Sequence, residues 1–206
     1  MKRRIQLNLL ARAIASERGA QIVEFAVALP LLVVFVVGIF DFSNAFTLKQ
    51  RLTNIARDAA RASAIDPSND LQGPAIGTNP VSVTDAYYIV DNYLLASNLN
   101  DCGLIGSTAA PPVGLTWTFT ANGPGCPTAG ITVTVNRGYY FPATGAATAD
   151  MHCQSQNPGG QLAVIGTCVS IQYPYPWKFG QAASLLGVTS VLPQQISAVA
   201  VSLNEI

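Results

Sequence analysis

The 206-residue sequence has little of what enzyme sites are built from. Charged residues make up 11% of the chain, and there is a single histidine. No glycine-rich phosphate loop, His-Glu-x-x-His helix or Gly-x-Ser-x-Gly turn is present, and nothing around His152 suggests a general base. The sequence therefore does not support an enzyme, and we expect neither catalytic residues nor a cofactor.

Basic residues are also scarce beyond position 19. The first 19 residues carry five basic side chains and one acidic one, a net charge of +4, and the remaining 6 basic and 10 acidic residues give −4. Binding to nucleic acid depends on basic side chains that neutralise phosphates. Nucleic acid is therefore not expected as a partner.

The longest apolar run without charge extends over Phe25–Phe40. With Ile22 and Val23 it reaches the ~17 to 25 residues that a bilayer-spanning helix needs, so we predict a transmembrane helix over 20–40. The basic residues that precede it predict a cytoplasmic N-terminus and a C-terminal domain across the membrane. Glu24 lies inside the apolar segment, where an ionised carboxylate costs roughly 2.5 to 3.5 kcal/mol, so we expect it to have a partner and a role.

The start of this segment resembles a known processing site. Gly19 is followed, after four residues, by Glu24-Phe25 and then by the apolar helix, as in the prepilin processing site of type IV pilin-like proteins. Within that group the chain resembles a TadE-like minor pseudopilin of the Tad (tight adherence), or Flp, pilus assembly system. The polar helix after the span, the strand Val169–Tyr175 and the closing residues Leu192–Glu205 add to the resemblance.

The resemblance implies that a membrane-bound prepilin peptidase cuts between Gly19 and Ala20, so that 1–19 is a leader. It implies a structural, non-enzymatic subunit of the bacterial inner membrane, which takes part in assembly of the pilus and whose C-terminal domain is periplasmic or extracellular. The implied partners are the peptidase, other pilin and pseudopilin subunits, the inner-membrane assembly platform and the lipid bilayer. Glu24, with Phe25 beside it, would then serve assembly by meeting the new Ala20 amino group of a neighbouring subunit.

Two other interpretations of the N-terminal segment remain open. It could be an uncleaved single-pass anchor for an exodomain that binds a ligand or a partner protein, with Glu24 reaching the lipid headgroups. It could also be a secretory signal that is cut after Ser43-Asn44-Ala45. An apolar stripe that continues past this point disfavours the signal, since its members recur at helical spacing: Ala45, Leu48, Leu52, Ile55, Ala59 and Ala62.

We therefore predict that the helix continues as an amphipathic extension over 41–66. From Ala20 to Ile65 it would be about 69 Å long at ~1.5 Å per residue. Two to three heptads are short for a coiled coil, so we expect the apolar stripe to pack on the chain's own sheet.

All four cysteines, Cys102, Cys126, Cys153 and Cys168, lie beyond the span. An even number on the side of the membrane where oxidation is permitted predicts two disulfides. A metal site is not expected, because no Cys-x-x-Cys pair is present and one histidine cannot complete a zinc ligand set. Of the three connectivities we favour Cys102 with Cys126 and Cys153 with Cys168, because each bond would staple a loop to a neighbouring strand and contribute roughly 3 kcal/mol.

The remaining residues, 67–206, predict a small α+β domain of pilin-like architecture. A Gly/Pro/Asn linker leads to a second helix, capped by Ser82 or Thr84 with Asp85 in its first turn, that ends near Leu99.

Four antiparallel strands and a short helix are expected after this second helix. Alternation of apolar residues with threonine predicts the first two strands. The predicted elements are strands at Leu115–Ala121, Ile131–Asn136, Leu162–Tyr173 and Gln195–Leu203, with a helix at Gln181–Leu186. Aromatic clusters at the strand ends, Tyr139–Phe141 and Tyr173–Trp177, are expected to pack in the sheet or to be buried at its rim rather than to stack on a glycan or base. The order of the strands does not follow from the sequence.

Overall fold

The computed structural model describes residues 17–71, 79–127, 129–142, 152–153, 163–184 and 192–204. Its elements are helix α1 (Glu17–Ile65), helix α2 (Val81–Ala96), strands β1 (Thr116–Ala121), β2 (Ile131–Pro142) and β3 (Ala163–Pro174), helix α3 (Lys178–Ser184) and strand β4 (Gln195–Leu203). Short 3-10 turns lie at Ser68–Leu71 and Leu104–Gly106. The predicted fold class, a long N-terminal helix with a small antiparallel sheet, is confirmed.

The chain divides into two compact units. The N-terminal unit comprises Met1–Asn44 with Trp177–Leu192, and the sheet unit comprises Ala45–Pro176 with Pro193–Ile206. Helix α1 contributes its first part to the N-terminal unit and its second part to the sheet unit.

The sheet is an antiparallel meander in the order β1-β2-β3-β4. Its apolar face carries Trp117, Phe119, Ile131, Val133, Val135, Val169 and Ile171, which are all buried. Because side chains alternate along a strand, the threonines between these residues face the other side. The alternation of apolar residues with threonine thus separates a core face from a polar face.

Helix α1 packs on the core face through the predicted apolar stripe. Ala45, Leu48, Leu52, Ile55 and Ala59 are buried, and Ala62 is half-buried. Further along α1 the buried residues are small, and they are Ala56, Ala60, Ser63 and Ala64. Small side chains allow the helix backbone to lie close to its neighbours, so the contact gains dispersion energy over many atoms.

The N-terminus of α2 differs from the prediction. The helix begins at Val81 after Pro80, and no side chain at the cap position caps it. Thr84 instead donates from Oγ1 to the Pro80 carbonyl at 2.9 Å, and Asp85 lies beyond the first turn. The Ser82 N–H donates to Asp70 Oδ2 at 2.9 Å, so a carboxylate twelve residues earlier occupies the positive end of the helix dipole. Sequence patterns for caps cover about four residues and do not include such a distant partner.

Two other boundaries also shift, and the linker contains an additional turn. Strand β2 continues past Asn136 to Pro142, because a bulge between Asn136 and Tyr139 restores pairing with β3. The linker contains the 3-10 turn Ser68–Leu71. Helix α3 begins at Lys178 instead of Gln181, and residues 185 and 186 of the predicted helix lie outside the described residues.

Both disulfides join the pairs favoured from the sequence. Cys102 is bonded to Cys126 and Cys153 to Cys168, with Cα atoms 5.2 Å and 5.5 Å apart. At the first bond the Gly123 N–H donates to the Cys102 carbonyl at 2.6 Å. A Cβ atom at Gly123 would lie 2.6 Å from the same oxygen, so only glycine admits this close approach.

The bulge in β2 turns Arg137 into the core of the sheet unit. Its side chain is 1% exposed, and its guanidinium donates to the Ser63 carbonyl, to the Asp66 carbonyl at 2.8 Å and to Thr167 Oγ1 at 2.9 Å. Ser63 lies in the last turn of α1, where backbone carbonyls lack helical partners and the helix dipole is negative. Arg137 therefore supplies the cation that the last turn of α1 does not contain.

The same cluster holds the end of the chain's last strand. Thr167 Oγ1 donates to Asn204 Oδ1 at 2.6 Å, and Asn204 Nδ2 donates to the Arg137 carbonyl at 3.1 Å. Burial lowers the pKa of Arg137, whereas the carboxylates of Asp70 and Asp66 favour its charged form. An arginine keeps its charge under such conditions, so the cation is stabilised by carbonyl dipoles and by acidic neighbours.

We predict that Arg137→Ala lowers the free energy of unfolding by about 3 to 5 kcal/mol, because it leaves buried acceptors without donors. Arg137→Lys should restore part of this loss, since an ammonium cannot reproduce the planar fork of donors. Urea unfolding of the full chain, followed by Trp117 fluorescence in a Trp177→Phe background, measures both. Arg57→Ala, an exposed arginine of α1, is the control and should stay within about 0.5 kcal/mol. Equal stability of Arg137→Ala and the control would contradict the assigned role.

Candidate functional site

The first part of α1 presents apolar side chains on all sides. Thirteen large ones are exposed, and they are Ile22, Val23, Phe25, Val27, Leu29, Leu31, Leu32, Val33, Phe35, Val36, Ile39, Phe40 and Phe42. Among the described residues one helix, Gln21–Ile65, is long and apolar enough to cross a membrane. A helix that is apolar all round requires a nonaqueous environment, and the described part of the chain does not provide one here. This part of α1 is therefore suited to act as a single-pass membrane anchor.

The predicted processing and assembly residues lie at the beginning of this surface. Gly19 and Ala20 belong to α1, which the structure describes from Glu17. Glu24 is exposed, four residues after Ala20, so the two positions share a helix face. Phe25 is also exposed and points about 100° away around the helix. A group that neutralises Glu24 from outside this chain would find the carboxylate accessible.

The other end of the apolar surface carries a small folded cap. Asp41 is buried, and its Oδ2 accepts the N–H of Phe179 at 2.8 Å. The Phe42 ring lies 5.2 Å from the Trp177 ring and 5.8 Å from the Phe179 ring, measured between centroids. A Cβ atom at Gly38 would lie 2.9 Å from the Phe179 ring, so the glycine leaves room for it.

This cap combines tryptophan, phenylalanine and Lys178 beside the end of an apolar helix, a composition typical of the membrane–water interface. The sequence did not predict this cap, because Trp177 is expected from the sequence to pack in the sheet or at its rim. Tyr173 is buried in the sheet as predicted, and its hydroxyl donates to the Asn100 carbonyl at 2.9 Å. Trp177 packs on Phe42 instead. The two aromatic residues are four positions apart, so their spacing contained no signal for this difference.

Two carboxyl groups that are distant in sequence meet in the sheet unit. Asp91 of α2 is fully buried, and the carboxyl of Asp101 lies beside it. Burial raises the pKa of Asp91, and the charge of Asp101 raises it further. A substrate cannot reach a carboxyl group that has no exposed surface, so the pair affects stability and does not form an open catalytic site. Among the described residues no group of three or more His, Cys, Asp or Glu side chains is placed to hold a metal ion.

Comparison with known proteins identifies one family. The model of the TadE-like protein family matches residues 19–61, which include Gly19, Glu24 and the exposed apolar part of α1. The resemblance expected from the sequence is confirmed for this segment, and it indicates a protein associated with Tad pili. No curated protein and no solved structure matches the chain.

The buried Asp91 makes stability depend on pH in a defined direction. Because its pKa in the folded protein is raised above 3.8, the folded state binds more protons than the unfolded state between 3.8 and the folded pKa. Stability should therefore fall as pH rises through this window. We predict that Asp91→Asn removes this dependence and raises the free energy of unfolding at pH 7 by on the order of 1 kcal/mol. Asp85→Asn, an exposed aspartate of α2, is the control.

Chemical unfolding of both variants between about pH 3 and about pH 8, a range that brackets the ordinary aspartate value, provides the test. A loss of stability in Asp91→Asn at pH 7, or an unchanged pH profile, would show that the folded state uses the ionised carboxylate.

Proposed function

We propose that the chain, a TadE-like protein over residues 19–61, is a structural minor pseudopilin that takes part in assembly of a Tad/Flp-type adhesive pilus. A prepilin peptidase would cut it between Gly19 and Ala20. The observation that carries the proposal is the exposed apolar part of α1, with a single carboxylate near its start. Such a surface is compatible with lipid before assembly and with a bundle of similar helices afterwards.

The proposed location is the bacterial inner membrane, crossed once. The basic residues before the span favour a cytoplasmic N-terminus. The sheet unit would then be periplasmic or extracellular, where the two disulfides persist. The proposed partners are the peptidase, the assembly platform and other pilin and pseudopilin subunits.

Glu24 has a specific part in the proposal. An ionised carboxylate in hydrocarbon costs roughly 2.5 to 3.5 kcal/mol, and a cation from a neighbouring subunit would offset this cost. Cleavage after Gly19 creates such a cation, the α-amino group of Ala20, about one helical turn from Glu24. In a helical assembly the amino group of one subunit can approach Glu24 of the next, and both charges are then neutralised within the apolar bundle.

A second candidate is an uncleaved membrane anchor whose sheet unit binds a ligand. It is favoured by one observation, a groove of about 840 Å³ on the sheet unit. The N-terminus of the mature protein separates the two candidates, because Ala20 supports the pseudopilin and Met1 the uncleaved anchor. An N-terminus at Phe46 would instead support a secreted domain.

We predict that Gly19→Val blocks processing, because the peptidase must approach the backbone where a side chain would obstruct it. The intact mass of the protein isolated from membranes of a strain with the peptidase should then include residues 1–19, and the wild type should begin at Ala20. Ala26→Val, a change of similar size within α1, is the control and should be processed normally. A mature mass in Gly19→Val equal to that of the wild type would refute the cleavage position.

We predict that Glu24→Gln leaves membrane insertion intact and lowers co-purification with the other pilin subunits roughly tenfold or more, which corresponds to the loss of at least 1.4 kcal/mol of pairing energy. Glu17→Gln, which lies in the leader, is the matched control and should assemble normally. If Glu24 only reaches the lipid headgroups, neither property should change. Recovery of the pilin partners at the wild-type level would therefore remove Glu24 from the assembly mechanism.

A further inference from the structure

The polar face of the sheet forms a groove in the sheet unit. Its floor consists of cross-strand neighbours: Thr118 pairs with Thr134 and Thr116 with Asn136 between β1 and β2, and Thr132 pairs with Gln172 between β2 and β3. Paired residues lie about 4.5 to 5.5 Å apart on such a face, so the hydroxyls form a regular ladder. The groove encloses about 840 Å³, within the range of small-ligand sites.

One wall of the groove is the segment Val113–Leu115, which folds over the sheet. The Arg137 N–H donates to the Leu115 carbonyl at 2.9 Å, and the Leu115 side chain packs over Gly138. A Cβ atom at Gly138 would lie 2.9 Å from Leu115 Cδ1, so glycine leaves room for Leu115 in this position. Val113 stays 81% exposed at the rim, so an apolar surface faces the opening.

His152 and Tyr140 also line the groove. The disulfide of Cys153 with Cys168 attaches residues 152 and 153 to β3, and Asn136 Nδ2 donates to the Cys153 carbonyl at 2.7 Å. Asn136 Oδ1 also accepts the Gly138 N–H at 2.8 Å. Asn136 is therefore a positioning residue that joins the disulfide segment to the bulge.

The side chains that line the groove limit the chemical class of ligand that it can bind. The described lining residues include hydroxyl and amide groups, one phenol, the imidazole of His152 and exposed apolar side chains, but no Lys, Arg, Asp or Glu. Among these described residues no Lys or Arg is present to bind a phosphate or sulfate, no Asp or Glu is present to bind a cation, and no basic groove is formed for nucleic acid. Neutral donors and acceptors beside apolar and aromatic surfaces match a pyranose, whose ring has hydroxyls at its edge and C–H groups on its faces.

We propose that this groove binds a neutral carbohydrate chain. The hydroxyls of Thr118 and Thr134 and the amide of Gln172 exchange hydrogen bonds with sugar hydroxyls, and Tyr140 and Leu115 contact the apolar faces of the rings. A flat, solvated threonine face would need no walls, whereas this face is bordered by Val113–Leu115 over Gly138 and by His152, next to the disulfide-bonded Cys153. The inference does not depend on processing or assembly, since the groove lies within the sheet unit.

The test uses the full chain in lipid nanodiscs, because glycoside detergents would themselves present sugars. The probes are immobilised cellohexaose, maltohexaose and N-acetylchitohexaose, with a heparin hexasaccharide as the charged comparison. We expect at least one neutral hexasaccharide to be retained and heparin not to be. Thr118→Val with Thr134→Val should weaken this binding at least tenfold, because valine keeps the shape and the strand preference of threonine but not its hydroxyl.

Thr120→Val is the matched control, since Thr120 is an exposed threonine of β1 that does not line the groove, and it should bind as the wild type does. Thr118→Val alone, with an unchanged circular dichroism spectrum, tests the hydroxyl where the double variant is poorly folded. Failure of the wild type to retain any neutral hexasaccharide would overturn the proposal. Retention of heparin as strong as that of the neutral probes, or unchanged binding by the threonine variants, would do the same.

Discussion

The sheet unit depends on one buried cation at the C-terminal end of α1. A helix that ends inside a protein leaves carbonyls that need donors, and the last turn of α1 has no basic residue. Arg137 satisfies the Ser63 and Asp66 carbonyls from the sheet, and its neighbours Thr167 and Asn204 join β3 and the end of β4 to the same cluster. Helix and sheet are thereby joined by directional bonds, in addition to apolar packing that has no preferred direction.

The same bulge that aims Arg137 into the core also shapes the polar face. Between Asn136 and Tyr139 two residues of β2 oppose one of β3, so Arg137 turns toward the helix and Gly138 accepts Leu115 above it. Tyr139 is buried against the Cys153–Cys168 disulfide, and Tyr140 lines the groove. One irregularity therefore serves the stability of the core and the geometry of the proposed carbohydrate site.

Helix α1 is built for two environments. Its first part is apolar on all sides, whereas its second part is apolar on one face, which is buried in the sheet unit. The apolar surface changes from all sides to one face near Asp41. The Asp41 carboxylate is buried there and accepts the N–H of Phe179 in α3. Glu24 lies at the opposite end of the apolar part and stays exposed. The buried carboxylate has a partner within its own chain, and the proposal for Glu24 assigns it a partner in another.

Local sequence patterns were sufficient to predict the apolar helix, its buried stripe, the strands and the resemblance at Gly19 and Glu24. Helical and strand periods of 3.6 and 2 residues, like short motifs, can be recognised within a few neighbouring residues. Strand order, the Asp70 cap of α2, the meeting of Asp91 with Asp101, and the contact of Phe42 with Trp177 required the tertiary structure. In each of these the partner is ten or more residues away, at a distance that the folded chain sets and no periodicity encodes. The position of Arg137 could not be predicted from local sequence either. The sequence Asn-Arg-Gly ends an alternating strand pattern, and the bulge and the end of a distant helix determine where the arginine lies and which groups it contacts.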